Sequence, residues 1–311
     1  MHSNLRGDGP LVSLKFKANL ALVVCSLLWG VTFVVVKDTL GDISVFAYLA
    51  ARFVLAAIPL AWIYRADLRK IRRSEMRAGL VLGMFMFGGY AFQTAGIART
   101  TPSKAAFITG FSVVLVPVLM AIVWRRRITI WAWAGAIASL CGLYWLTVPS
   151  QGITNLNHGD LLVMGCAVLY AFQIIYISRY SGEFSLGGLS FLQVLVTAGL
   201  ALLSVPLLSA SGWEPLRVHF SGMMVFGVLV TAIFTTAIAY PMLVWGQTHT
   251  SATNTALILA SEPVFAAVTS FIVLHERLGV RALVGAALIL GGILIGEVKA
   301  TGPAPVYILD D

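Results

Sequence analysis

Residues 129–148 read TIWAWAGAIASLCGLYWLTV, twenty positions without a charged side chain. Coiled as a helix at about 1.5 Å per residue, such a run is about 30 Å long, the thickness of a bilayer's hydrocarbon core. Working outward from it, nine further runs of the same kind lie at about 18–37, 45–64, 79–98, 103–124, 160–179, 188–208, 222–245, 251–274 and 280–298. Most connections between them are short and leave no room for a soluble domain. The runs are continuous, whereas a β-barrel needs alternating segments of about ten residues. The expected fold class is therefore all-α integral membrane, with ten transmembrane helices. Composition agrees: 59% of the 311 residues are apolar and 11% charged, against about 25% charged in soluble domains. Mean hydropathy is +0.90. The first run is too long for the apolar core of a signal peptide, and Leu27-Leu28-Trp29-Gly30-Val31 lacks a small-x-small cleavage site.

The net charge of +8 reports topology. Of the 21 basic residues, fourteen fall on the side of the N-terminus, nine of them in two loops (Arg65 to Arg77 and Arg125 to Arg127). Six fall on the other side: Lys37, Arg99, Lys104, Arg217, Arg277 and Arg281. That bias places both termini in the cytoplasm, and the expected address is a bacterial inner membrane. Nucleic-acid binders instead concentrate their basic residues in a solvent-facing patch, so no nucleic-acid partner is expected. The expected partners are the lipid bilayer and a small-molecule substrate, with the chain acting as a monomer.

Shifting the chain by 150 residues aligns 90–148 with 240–298 without a gap and gives 16 identities in 59 positions. They include Tyr90/Tyr240, Gly96/Gly246, Thr100/Thr250, Gly135/Gly285 and Gly142/Gly292. A shift of 141 pairs Cys25 with Cys166 and Trp29 with Tyr170. Each copy holds five runs, and an odd number makes the second copy enter the membrane from the opposite side. Inverted repeats around a site near the midplane characterise secondary transporters. The expected organisation is a segment 1–17, a first unit 18–148, a linker 149–159, a second unit 160–298 and a tail 299–311.

Several motifs resemble the EamA-type drug/metabolite transporter superfamily over about residues 18–298. They are Leu27-Leu28-Trp29-Gly30-Val31-Thr32-Phe33 with Lys37, Ala51-Arg52-Phe53, and Thr101 to Thr109 leading to Val116-Pro117. The second unit adds Ser261-Glu262-Pro263-Val264-Phe265, His275-Glu276-Arg277-Leu278 and Gly285 to Leu288. The resemblance implies ten helices as two inverted five-helix repeats around a central cavity, and export of metabolites. Within the superfamily the amino-acid and aromatic-compound exporters look most similar. The first unit departs from the pattern, carrying Arg125-Arg126-Arg127 where the second has His-Glu-Arg and placing its proline one turn later.

Ionisable side chains inside lipid are costly and default to functional candidates. Two are deep: Arg52, read as a structural charge between helices, and Glu262, which suits a substrate ammonium, a coupling proton or a polar neighbour. Pro117 and Pro263 are the hinge candidates, since each removes a backbone donor and frees a carbonyl four residues earlier. The cavity candidates are Trp29, Tyr90, Gln93, Thr109, Tyr170, Gln173, Tyr240, Trp245, Asn254 and Glu262, with Thr32, Thr94, Phe107, Ser112 and Thr255 beside them. Their neutral donors and aromatic faces suit zwitterions or planar apolar molecules. Repeat symmetry singles out Trp29 and Tyr170.

No Gly-x-x-x-x-Gly-Lys-Ser/Thr loop exists to bind ATP. His275-Glu276-Arg277-Leu278-Gly279 lacks the second histidine of a zinc site, and Cys25, Cys141 and Cys166 lack metal-ligand spacing. No cofactor, metal or enzymatic activity is expected. The expected function is a secondary transporter exporting small amphipathic metabolites, above all aromatic and other neutral amino acids, by uncoupled alternating access. Proton-coupled antiport of cationic drugs and a channel are the alternatives.

Overall fold

In lipid every backbone N–H and C=O must be bonded within its own segment, so each apolar run closes into a helix. The computed structural model describes residues 9–148, 152, 156–273 and 279–298. The first half contains α1 (Gly9–Gly30), α2 (Thr32–Thr39), α3 (Val45–Ile63), α4 (Arg65–Leu68), α5 (Arg73–Arg99), α6 (Pro102–Thr109), α7 (Ser112–Ile122) and α8 (Ile130–Thr147). The second contains α9 (His158–Tyr180), α10 (Leu186–Ala210), α11 (Gly222–Ala232), α12 (Ala239–Gln247), α13 (Ala252–Leu259), α14 (Glu262–Val273) and α15 (Val280–Val298). A π-helical turn, Ile233–Ile238, joins α11 to α12. Among the described residues there is no strand beyond one bridge between Ile43 and Val218. Nine segments among them are long and apolar enough to cross a membrane. The run expected at 251–274 is the split pair α13–α14. The His275-Glu276-Arg277-Leu278 motif lies outside the described residues, as do residues 1–8, the tail from 299 and most of the expected linker. Large apolar side chains such as Ile58, Trp62, Leu203 and Ile272 face outward, a surface suited to lipid rather than to water.

The duplication is visible in the helix boundaries. Helices α6 and α13 begin and end 150 residues apart, and α7 and α14 begin 150 apart at Ser112 and Glu262. Each pair is interrupted at the equivalent place, Gly110-Phe111 and Ala260-Ser261. The N-caps match too: Thr101 Oγ1 accepts from Lys104 N at 3.3 Å and Ser251 Oγ from Asn254 N at 3.2 Å. Helices α3 and α10 begin 141 residues apart, each after a serine. This register makes Gln193 the counterpart of Arg52.

Helices α8 and α15 pack antiparallel through their glycines. A Cβ on Gly135 would lie 2.6 Å from the Gly292 carbonyl, and one on Gly142 would lie 2.6 Å from that of Gly285. The two contacts exchange under the 150-residue shift, the relation expected of a two-fold axis passing between the helices. The segment α1–α2 supplies a second measure of inversion. Its Asn19 side chain accepts from Asn254, in the first turn of α13 after the turn that ends α12, at 3.3 Å. Its Lys37 Nζ donates to the carbonyls of Ile97, Ala98 and Thr100 at the end of α5, at 2.6–3.1 Å. Eighteen residues of helix separate Asn19 from Lys37, about 27 Å. The equivalent ends of α5 and α12 therefore lie on opposite sides of the bundle.

The prolines sit differently from the sequence expectation. Pro117 is inside α7, past the break at Gly110-Phe111, so the interruption of the first unit is not at its proline. Pro263 is the second residue of α14 rather than mid-helix, a position where the missing N–H has no partner to lose. The Leu259 carbonyl, four residues earlier, accepts from Ser26 Oγ at 3.3 Å.

Candidate functional site

A cleft of about 900 Å³, counting its open space, lies at the centre of the bundle. Its wall is a chain of four rings arranged by the repeat. Trp29 packs on Tyr240 with centroids 5.7 Å apart, and its counterpart Tyr170 packs on Tyr90 at 5.6 Å. The counterparts Tyr90 and Tyr240 meet across the axis, where the Tyr240 hydroxyl donates to that of Tyr90 at 3.2 Å. Gly89 leaves room for Tyr170, since a Cβ there would come 2.6 Å from Cδ1 of that ring.

Arg52 enters this ring cluster from α3. Its guanidinium lies 4.5 Å from the Tyr90 centroid and 5.3 Å from that of Phe53. Nε donates to Thr236 Oγ1 at 2.9 Å, and Nη2 donates to Thr235 Oγ1 at 2.9 Å and to the Tyr90 hydroxyl at 3.1 Å. Consecutive residues of an α-helix point about 100° apart, so two neighbouring threonines seldom serve one group. The π-helical turn, a type often found at functional sites, makes it possible here. Thr235 and Thr236 both donate back to the Thr231 carbonyl, at 2.8 and 2.9 Å. Their lone pairs are thereby turned to Arg52. The Thr235 carbonyl accepts from Trp29 Nε1 at 2.8 Å, which ties the same turn to the ring wall.

Glu262, the first residue of α14, is half-buried and lines the cleft. Its carboxylate has no hydrogen-bond or ion-pair partner among the described residues. Its repeat counterpart is Ser112, also in the cleft wall. Among the described residues no ion pair joins Arg52 and Glu262.

The amides complete the lining. Gln93 Nε2 donates to Thr109 Oγ1 at 3.3 Å and its Oε1 accepts from the Tyr170 hydroxyl at 3.1 Å. Gln173 Nε2 donates to Gln193 Oε1 at 3.1 Å. Of the sequence candidates, the structure thus brings together Trp29, Tyr90, Gln93, Thr109, Tyr170, Gln173, Tyr240 and Glu262, with Thr32, Thr94, Ser112 and Pro263. Arg52, read from sequence as a charge between helices, joins them in the lining.

Trp245 and Asn254 stand apart. The cleft runs from the tyrosine pair toward Val36 and Ile97, whereas these two lie toward the other end, around the α12–α13 turn. Trp245 follows Tyr240 by five residues, a rotation of about 140° that turns it off the cleft; its ring packs on His249 at 5.1 Å. Asn254 Nδ2 bonds Thr250 Oγ1 at 2.7 Å and Asn19. Phe107 faces Phe111 and Tyr144 instead, Thr255 is buried elsewhere, and Pro117 is outside the lining. Thr231, Thr235, Thr236 and Tyr48, whose hydroxyl bonds Thr231 at 3.0 Å, are the site's supports that the sequence reading missed. The available signal was three hydroxyls spaced 231, 235 and 236 inside an apolar run.

Equivalent polar clusters lie toward the two ends of the bundle. Thr100 Oγ1 donates to the buried Asp160 at 2.5 Å, and Lys104 Nζ lies 3.5 Å from the same carboxylate. In the repeat register Thr100, Lys104 and Asp160 correspond to Thr250, Asn254 and Asn19, the neutral cluster at the other end.

The EamA-like transporter family matches this sequence twice, over residues 16–148 and 157–296. The chain belongs to that family. An uncharacterized transporter of Archaeoglobus fulgidus is 32% identical to this EamA-like transporter over 282 residues, 91% of this chain and 86% of the relative. The uncharacterized transporter YoaV of Bacillus subtilis is 20% identical, covering 90% and 96% of the two chains. A WAT1-related chloroplastic protein of Arabidopsis thaliana is 25% identical over 86% of this chain and 66% of its own length. A solved crystal structure superposes with a TM-score of 0.76 at 20% identity, covering 91% of this chain and 97% of the other; the likeness is one of fold. The EamA-like chain is thus a multi-pass membrane transporter, and the cleft is its candidate substrate site.

Proposed function

We propose that this EamA-like transporter exports small amphipathic metabolites, with aromatic and other neutral amino acids as the leading class. The two five-helix units, 18–148 and 160–298, move against each other to expose the cleft alternately to either side. The observation that carries the reading is the cleft's lining. Four aromatic rings offer faces for an apolar side chain, amides and hydroxyls offer neutral donors and acceptors, and the unpaired Glu262 carboxylate suits an ammonium group. Transport is uncoupled and follows the substrate gradient. The basic residues that gather on one side orient the chain in a bacterial inner membrane with both termini cytoplasmic, and it works as a monomer.

A second reading, proton-coupled antiport of cationic compounds, draws on the same unpaired carboxylate. The deciding experiment is counterflow of labelled L-phenylalanine in proteoliposomes, competed by a substrate panel with and without a pH gradient. Saturable counterflow that ignores the gradient is expected. Conductance without saturation would overturn the carrier. A flux driven by the gradient in the native protein and lost in Glu262→Gln would replace uncoupled export with proton antiport.

A further inference from the structure

We propose that the Arg52 guanidinium anchors a carboxylate on the transported molecule, so that the cleft takes α-amino acids and aryl monocarboxylates in preference to amines of the same ring. This deepens the transporter reading above and rests on it.

A side chain 4% exposed with a full positive charge normally has an anionic partner, because an uncompensated charge in a low-dielectric interior is costly. Arg52 has none among the described residues, where the ion pairs are Lys15–Glu297 and Lys104–Asp160. Its three bonded N–H groups all reach neutral hydroxyls. Both N–H groups of Nη1 are without a protein acceptor among the described residues, and the side chain lines the cleft. The guanidinium is therefore held in a fixed orientation by Thr235, Thr236 and Tyr90 while part of its donor capacity stays open.

Helix packing does not demand a charge at this place. The counterpart in the other unit is Gln193, a neutral amide that is fully buried and bonded to Gln173. The arginine is thus an addition to a site that the same architecture builds without it. A carboxylate is the group that completes it, since guanidinium donors match carboxylate oxygens. Glu262, on another helix of the same lining and not ion-paired to Arg52, is placed for the ammonium of the same molecule. The rings of Trp29, Tyr90, Tyr170 and Tyr240 flank the space between.

The test is ligand binding by the purified full-length protein, followed as thermal stabilisation during titration. The probes are L-phenylalanine, L-phenylalaninamide, 2-phenylethylamine and 3-phenylpropionate. Both carboxylates should bind about 10- to 100-fold more tightly than the amide and the amine, the range for one hydrogen bond to a charged group. Folded Arg52→Gln should erase that gap. Thr236→Val, which keeps the charge but removes the Nε acceptor that orients it, should narrow the gap several-fold and serves where Arg52→Gln does not fold. Failure of both carboxylates to bind, absence of the gap in the native protein, or its persistence in the variants would overturn the proposal. Arg52-dependent binding of 3-phenylpropionate without counterflow of L-phenylalanine would support the anchor and remove the amino-acid carrier. Counterflow indifferent to the carboxylate would do the reverse.

Discussion

Replacing Tyr90 by Phe isolates the hydroxyl at the centre of the cleft. The ring and its contacts with Phe53, at 5.0 Å, and with Tyr170 remain; only one oxygen is lost. That oxygen accepts from Arg52 Nη2 at 3.1 Å and from the Tyr240 hydroxyl at 3.2 Å. Hydrogen bonds to charged groups contribute about 1.5–3 kcal/mol, and neutral ones between membrane helices average about 0.6 kcal/mol. Tyr90→Phe should therefore destabilise the protein by about 2–3.6 kcal/mol. Tyr240→Phe removes the neutral bond to Tyr90 and should cost about 0.6 kcal/mol. The double variant should be about as stable as Tyr90→Phe alone, because both single changes delete the same tyrosine–tyrosine bond. Unfolding by SDS titration of the purified protein, followed by tryptophan fluorescence, measures all three. If Tyr90→Phe loses no more than Tyr240→Phe, the bond from Arg52 contributes nothing and the account of how the guanidinium is held is wrong.

Gly142→Leu places carbon against the Gly285 carbonyl, where even a Cβ lies at 2.6 Å, and should lower the thermal midpoint by several degrees. Gly291→Ala, which meets nothing, should leave it unchanged in the same melt. Asp160→Ala removes at once the acceptor for Thr100, the partner of Lys104 and the capping bond from Asn157 N at 3.0 Å; a loss of about 3–5 kcal/mol is expected in SDS unfolding, the scale for breaking a buried ion pair. Cys25 and Cys166 are buried, so in the folded protein N-ethylmaleimide should spare both and modify them only after denaturation, as read by mass spectrometry.

The helices and their duplication were legible in the sequence because both rest on long-range averages. Twenty apolar residues in a row leave a backbone few alternatives in lipid, and a gapless register of 150 residues carries over directly into helix ends and breaks. The candidates that share the cleft were legible for the same reason: Trp29/Tyr170 and Tyr90/Tyr240 are repeat pairs. Local phase was not legible. Trp245 lies five residues from Tyr240 and faces another way, and Phe107 lies two from Thr109 and points across the bundle. The partners of Arg52 depend on a π-helical turn, which has no residue signature in Ile233–Ile238 beyond a threonine doublet. The helix breaks were equally hidden, since Gly110-Phe111 and Ala260-Ser261 share no breaker and the nearby prolines drew the expectation away from them.

The departures from the repeat bear most directly on function. A cleft with perfect two-fold symmetry would accept a molecule equally well in either of two opposed orientations, and so would set no single direction for an amino acid along it. The backbone, the ring quartet and the glycine crossing of α8 and α15 are close to symmetric. The charges are not: Arg52 answers to Gln193 and Glu262 answers to Ser112. Neither residue is the counterpart of the other, so the axis does not exchange them, and in the binding mode proposed above they fix one direction across a scaffold that has two. The clusters at the two ends follow the same pattern, with Lys104 and Asp160 at one end and Asn254 and Asn19 at the other. Separating Lys104 from the buried Asp160 carboxylate costs more than separating a pair of amides. Duplication therefore supplies a polar cluster in matching register at each end, and substitution makes one of them ionic and the other neutral.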